Sequence, residues 1–225
     1  MAGRPTRNSR ARRLAALAVL AGGTLAAAGC ALAHHEQAPA IRRLALEYEP
    51  PELHVTRPVD AAVKVARFSG LAPYDGTTMY FRRAGVRMGS FNYDRWVAAP
   101  ADQIADLLYR DLASAHAFRA VFPRLSAERA RFRLEGTVVE CVSVEKDAGW
   151  QAHLTLDVTL VDTAYRRGAR RLLLQREFGA TRALAGGSAS EYAEGMSAAL
   201  KTVSEAVLRA AYDACRVRAD EGGAP

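Results

Sequence analysis

Chemistry in this chain would fall to five histidines, three cysteines and a few neighbouring carboxylates, so their spacing comes first. His34, His35, His54, His116 and His153 form no H-E-x-x-H pair, and the cysteines form no C-x-x-C, so neither familiar set of zinc ligands is present. His34-His35-Glu36 brings two imidazoles and a carboxylate together, but zinc needs further spaced ligands. The run lies in a polar stretch that reads as a solvated tether. No G-x-S-x-G turn presents a serine nucleophile. No G-x-x-x-x-G-K-S/T loop cradles a phosphate. Gly186-Gly187-Ser188 precedes a helical pattern, where an anion site and a helix-capping linker are the two readings and the linker is preferred. Asp157 and Asp162 are five positions apart in an extended segment, which puts them on opposite faces as solvated strand positions. No catalytic, metal-binding or cofactor-binding set emerges.

One cysteine does have a chemical context. Arg4, Arg7, Arg10, Arg12 and Arg13 form a basic head without acidic residues, and an apolar run from Leu14 to Ala28 follows. A basic head, a short apolar stretch and small residues at its end describe an export signal. The run is too short for a membrane span, which needs ~20 apolar residues. Cys30 stands where the run ends, after Ala27-Ala28-Gly29. That arrangement resembles a lipobox, in which the thiol is acylated and the chain is cut before it. An ordinary secretory signal followed by a chance cysteine is the alternative. The expected organisation is a signal over 1–29, a tether over 30–40, one domain over 41–216 and a frayed tail over 217–225.

The net charge of +7 belongs mostly to the head. Five of the 31 Lys+Arg residues lie there, which leaves 26 against 24 Asp+Glu. That near balance does not describe a nucleic-acid binder, which asks for a clustered basic face. Cys141 and Cys215 remain beyond Cys30. An exported chain meets an oxidising compartment, so they form either a disulfide or two buried free thiols, and their spacing does not decide which.

The elements that must position these residues are legible from periodicity. Leu44, Leu46 and Tyr48 alternate as a strand up to Pro50-Pro51. Residues 61–68 form a second, with Val63, Val65 and Arg67 on one face and Lys64, Ala66 and Phe68 on the other. A turn over 71–77 precedes a hairpin, 79–82 with 86–88, and residues 91–96 lead into a helix whose first turn holds Pro100. Ile104, Leu107, Leu108 and Leu112 keep helical spacing. Phe132, Leu134, Val138, Val142 and Val144 share one face of a long strand. Ala152, Leu154, Leu156, Val158 and Leu160 alternate down the next, and 171–178 forms a third. Ser188-Ala189-Ser190-Glu191 has the capping-box pattern, and Met196, Leu200, Val203, Val207 and Ala211 mark the apolar face of a closing helix of ~25 residues. The expected fold is α+β: an antiparallel meander with two helices packed on one face.

Two surface features stand out. Arg166, Arg167, Arg170 and Arg171 crowd one turn, where they either meet acidic headgroups or partners or simply blunt a sheet edge. Tyr74, Tyr80, Phe81, Phe91, Tyr93 and Trp96 gather in a short span. Such rings suit an interface or a core; Tyr74, Tyr80 and Tyr93 are the partner-contact candidates.

The order of these features is familiar. A lipobox is followed by Val63-Lys64-Val65-Ala66, then Pro73-Tyr74-Asp75-Gly76 and Met79-Tyr80-Phe81-Arg82. Tyr93-Asp94-Arg95-Trp96, Pro100 and the leucine-spaced helix come next, then Leu134-Glu135-Gly136, Leu154-Thr155-Leu156, Leu160-Val161-Asp162 and the closing helix. The chain resembles the ABC-type transport auxiliary lipoprotein family of the PqiC/YmbA type over nearly all its length after the signal. The resemblance implies a non-catalytic accessory part of an ABC transporter that works with an MCE-domain (mammalian cell entry) protein to move lipid between inner and outer membranes. It implies a homo-oligomer held by lipidated Cys30 at the periplasmic face of the outer membrane, since residue 31 is Ala rather than the Asp that retains such proteins. The rival classes are another outer-membrane assembly lipoprotein, such as a lipopolysaccharide-insertion partner, and a secreted hydrolase.

Several acyl chains on one residue hold firmly where one chain binds marginally. Cys30→Ala is therefore expected to leave the chain unprocessed at this site and to move it out of the membrane fraction. Normal processing and membrane fractionation of the variant would refute the anchor.

Overall fold

In the computed structural model the described residues are 39–83, 85–164 and 171–221. Cys30, His34, His35, Glu36, Arg166, Arg167 and Arg170 lie outside them. The chain divides between Ala40 and Ile41 into two units. The second contains β1 Arg42–Leu44, β2 Val59–Gly70, β3 Thr78–Arg83, β4 Arg87–Trp96, α1 Pro100–Ser114, β5 Phe118–Phe122, β6 Phe132–Lys146, β7 Gly149–Asp162, β8 Leu172–Ala183 and α2 Ala189–Glu221. The fold is α+β.

The sheet is mixed, which corrects the expected antiparallel meander. β6, β7 and β8 do run antiparallel, as do β3 and β4. The remaining joins are parallel: β1 with β4, β2 with β5, and both β2 and β3 with β6. β6 pairs with β7 along its whole length, from Phe132↔Asp162 to Lys146↔Gly149. Its other edge is shared, first by β2 opposite Phe132 to Val138 and then by β3 opposite Ser143 and Val144. β5, absent from the sequence reading, pairs in parallel along the outer edge of β2.

Two bulges change which side chains face the core. Val65 pairs with Leu134 and Phe68 with Gly136, so Ala66 and Arg67 together oppose Glu135. Phe68 thereby joins Val63 and Val65 in the core, while Arg67 turns outward, the reverse of the simple alternation. Gly136 makes room: a Cβ there would come within 2.5 Å of the Phe68 ring. In β6 the register slips between Val138 and Glu140. Cys141 then shares a face with core residue Leu154, and Val142 and Val144 pass to the opposite face beside His153 and Gln151.

The helices obey their stripes. Ile104, Leu108 and Leu112 of α1 and Met196, Leu200 and Val207 of α2 are fully buried. Ser188 and Glu191 form the capping box: the Ser188 N–H donates to Glu191 Oε2 at 3.0 Å, and the Glu191 N–H donates to Ser188 Oγ at 3.3 Å. The Ser188 hydroxyl, which donates to Glu191 Oε2 at 2.6 Å, and then the Ser188 N–H hold the Glu191 carboxyl below its usual pKa. α2 continues to Glu221, so residues 217–221 are helical where a frayed tail was expected.

The first strand is shorter than its alternation suggested. β1 stops at Leu44, and residues 45–58 cross the helices as a strap. Its backbone bonds go to helix side chains instead of a strand: the Leu46 N–H donates to Gln103 Oε1 at 2.9 Å and the Glu47 N–H to Ser197 Oγ at 3.0 Å. Tyr48 reaches inward, and its hydroxyl donates to Asp111 Oδ2 at 2.6 Å. Asp111, fully buried on α1, also accepts from Ser204 of α2 at 2.5 Å and from Arg110 Nε at 2.9 Å. One carboxylate thus joins strap, α1 and α2.

Leu200→Ala removes a buried side chain from the face of α2 that meets the sheet, at a cost of about 2–5 kcal/mol. Lys201→Ala, one residue on and exposed, should change stability by less than about 0.5 kcal/mol. Denaturant midpoints of the two variants check the assigned face; equal shifts would refute it.

Candidate functional site

The aromatic-rich stretch resolves into inward and outward rings. Trp96, 1% exposed, packs edge-on to Tyr192 of α2, with centroids 5.3 Å apart. Phe91 stacks on the same Tyr192 at 6.1 Å, and Phe81 meets Phe91 at 5.3 Å and Trp150 at 6.1 Å. Burial, then the nearby Cys141, raises the Tyr192 phenol well above its usual pKa. This chain of rings seals the sheet against the start of α2. Arg83 caps it, its guanidinium 4.9 Å from the Phe81 ring and 5.2 Å from Trp150.

The three tyrosines proposed as partner contacts are treated differently. Tyr74 is 9% exposed and packs edge-on to the half-buried Tyr80 at 6.3 Å. Tyr74 therefore corrects the expectation of an exposed ring. Tyr93 is 48% exposed on β4 and offers its ring to solvent. On the face opposite the helices, Arg82 pairs with Glu140, whose Oε2 lies 3.8 Å from His153 Nδ1. Gln151 is the hydrogen-bond partner of His153, at 3.1 Å. Desolvation lowers the His153 pKa, and Glu140 opposes that shift in part. This group spans an open strand surface above Val142 and Val144. Among the described residues its imidazole has Gln151 and Glu140 as its polar neighbours, and it covers the apolar side chains beneath.

Other residues singled out in the sequence have structural work. His116 ends α1 with φ 49°, in the left-handed region common just past a helix C-terminus. Asp162 corrects its assignment as a solvated position. It is 1% exposed, accepts from Arg218 Nε at 3.0 Å and lies 3.5 Å from Arg131. These partners come from distant segments, so no local pattern signals them. Asp94 is similar, 6% exposed and held two-pronged by Arg42 at 2.7 and 3.1 Å. Cys141 and Cys215 are both buried free thiols, so the disulfide is not formed. Cys141 Sγ lies 3.6 Å from the Tyr192 hydroxyl, while Cys215 lies near Arg131 and Asp162.

A groove of about 650 Å³ runs between the strap and α2, lined by Tyr48, Ala193, Ser197 and Lys201 among others. Among the described residues no three His, Cys, Asp or Glu side chains converge as metal ligands. No described helix is long and apolar enough to cross a membrane.

Comparison with known proteins gives two kinds of match. A family model described as the ABC-type transport auxiliary lipoprotein component matches residues 45–207. No curated protein matches in sequence. Among solved structures, protein XCC0632 from Xanthomonas campestris, assigned to the DUF330 family, superposes with a TM-score of 0.68. It is 16% identical, and the match covers 80% of this chain and 99% of that one. A second structure, of an uncharacterized protein, gives a TM-score of 0.55 at 14% identity, covering 75% of this chain and 98% of the other. At these identities the likeness is one of fold.

Burial raises the Cys141 thiol from 9.0 to about 12 and pushes Cys215 higher still. Both groups are held neutral, so their contribution to stability is full below the unfolded value and fades as pH rises from about 9 toward the folded values. The folded chain at pH 8 is expected to leave both thiols unlabelled by a thiol reagent, and the unfolded chain to label both. Labelling of either in the folded chain would refute the burial.

Proposed function

The chain belongs to the family of ABC-type transport auxiliary lipoprotein components, and on that footing we propose that it is the lipid-anchored accessory subunit of a transporter whose MCE-domain proteins carry phospholipid or another lipid between inner and outer membranes. It sits at the periplasmic face of the outer membrane through acylated Cys30. It docks the periplasmic partner and turns over no substrate.

The family match carries this reading: residues 45–207 include β2 to β8, α1 and more than half of α2. The chemistry of the described residues is compatible with it. On the open sheet face Arg82, Glu140 and His153 lie against one another, and the buried carboxylates of Asp111 and Asp162 accept from donors on distant elements. What the surface offers is an exposed ring at Tyr93 and a long strand, β8, hydrogen-bonded to β7 on one edge. Exposed rings and open strand edges are means of protein capture. A passage between membranes also asks for repeated subunits around an axis, and closed cyclic symmetry is the usual way identical chains supply it. The reading is therefore of a homo-oligomer.

Pull-down of the MCE-type periplasmic partner by the purified chain tests this function. Tyr93→Ala is expected to weaken capture about tenfold or more if its ring lies at the centre of the contact, with Tyr80→Ala having a smaller effect. Tyr74→Ala is unsuitable as a contact probe because loss of its buried ring lowers stability. Unchanged capture by the Tyr93 variant would remove that residue from the contact. A monomer that captures no MCE-domain protein would overturn the function.

A further inference from the structure

β1 is three residues long, yet it fixes the direction from which the chain enters the sheet. It runs parallel to β4, with Arg42 opposite Asp94 and Leu44 opposite Trp96. The two-pronged Arg42–Asp94 pair pins that register. β4 begins at Arg87, at the tip of the β3–β4 hairpin. Ile41, just before Arg42, therefore lies on the side of that tip. Asp94 is seven residues from Arg87, about 23 Å along a strand. Ten residues lie between Cys30 and Ile41, and the eleven Cα steps they make span at most about 40 Å. The proposed anchor thus has the length to bring the tip to the surface that holds it.

The composition of the tip suits that surface. From Gly76 to Tyr93 the chain carries Arg82, Arg83 and Arg87 and no carboxylate. Val86 is 86% exposed and Met88 is 45% exposed, with Arg87 between them. Arg83 is stiffened by its stack on Phe81 and Trp150, and Glu145 lies 3.4 Å from it. Pairing of β3 with β6 brings Lys146, at the β6–β7 turn, to the same end of the sheet, together with Glu145 and Asp147. Apolar side chains at a projecting turn, flanked by guanidinium groups, match the boundary between acyl chains and phosphate headgroups.

We propose that the β3–β4 hairpin tip is a second membrane contact, resting Val86 and Met88 on the anionic phospholipid surface that holds Cys30, with Arg83 and Arg87 on headgroup phosphates. The inference rests on the reading of Cys30 as the anchor. The contact orients the sheet with this end toward the membrane and leaves the β5–β6 loop and the end of β7 at Asp162 at the far end.

The full lipidated chain, reconstituted in vesicles of phosphatidylethanolamine and phosphatidylglycerol, tests it through an environment-sensitive fluorophore at Val86→Cys or Leu125→Cys. The buried Cys141 and Cys215 do not compete for the label. Leu125, 84% exposed, lies in the loop before β6 and serves as the far-end control. The expected result is a blue shift and a several-fold loss of iodide quenching at position 86 and neither at 125. Arg83→Glu with Arg87→Glu should abolish the response at 86 while the chain still floats with the vesicles. Flotation with equal responses at both sites, or with none at 86, would overturn the tip contact and leave the anchor standing. A response at 86 that requires the MCE-type partner would reassign the tip to protein docking. Failure of the unaltered chain to float would overturn the anchor, and the tip contact with it.

Discussion

Hydrogen bonding on both edges of β6 is the constraint from which the rest of this domain hangs. One edge is committed to β7 over the full strand. The other is divided between β2 and β3, so the sheet forks beyond β6 into a β2–β5 branch and a β3–β4–β1 branch. The change of partner occurs where β2 ends at Gly70, and the Leu71 N–H still reaches Val138 of β6 at 3.0 Å. Each branch needs cover. α1 lies against β2 and β5, while α2 lies across β7 and β8 and sets its Tyr192 against Phe91 and Trp96 of β4. A strand serving three partners tolerates little slippage, because a shift of one residue would send every core side chain to the other face. The bulges at Ala66-Arg67 and near Val139 are the two places where a pairing of β6 shifts register, and each is accommodated locally.

Three buried carboxylates fasten the segments that the sheet alone does not hold. Asp94 holds β1, Asp111 holds the strap and joins the helices, and Asp162 ties the end of α2 and Arg131 to the end of β7. Burying a carboxylate is costly unless donors surround it, and removing a donor then costs more than the pair itself contributes. The likeness among the three is positional: each joins residues far apart in sequence. Together they fix where the two termini of the domain meet the core, and the first of them sets the direction of the incoming chain.

What was legible in the sequence was what each element does alone. The alternation of Ala152 to Leu160, the stripe from Met196 to Ala211 and the Ser188–Glu191 box are local signals, and all three appear as read. Parallel pairing was not legible, because alternation reports a half-buried strand without naming its neighbour. The faces of Arg67, Phe68, Val142 and Val144 were misread because a bulge exists only between two strands. Tyr48 alternates like a strand residue yet follows Asp111 into the helix layer. β5 was missed because Phe118 to Phe122 is short and its partner lies far upstream. Of the surface residues, Tyr74 was misjudged because its cover comes from β3. The family was legible through the order of weak signals, whose spacing survives where no single motif is sharp.

The two enclosed thiols have a consequence for how the chain matures. Once the core has closed, Cys141 and Cys215 are out of reach of any enzyme that makes disulfides. Before closure, the unfolded chain presents both. The two sites belong to different parts of the domain, Cys141 beside Tyr192 and Cys215 beside Asp162. A bridge made early would hold them together against the register of β6. The yield of native protein then depends on a race between collapse of the sheet and arrival of the oxidase. Disulfide formation takes seconds to hours, so a core that closes sooner than that leaves both thiols free.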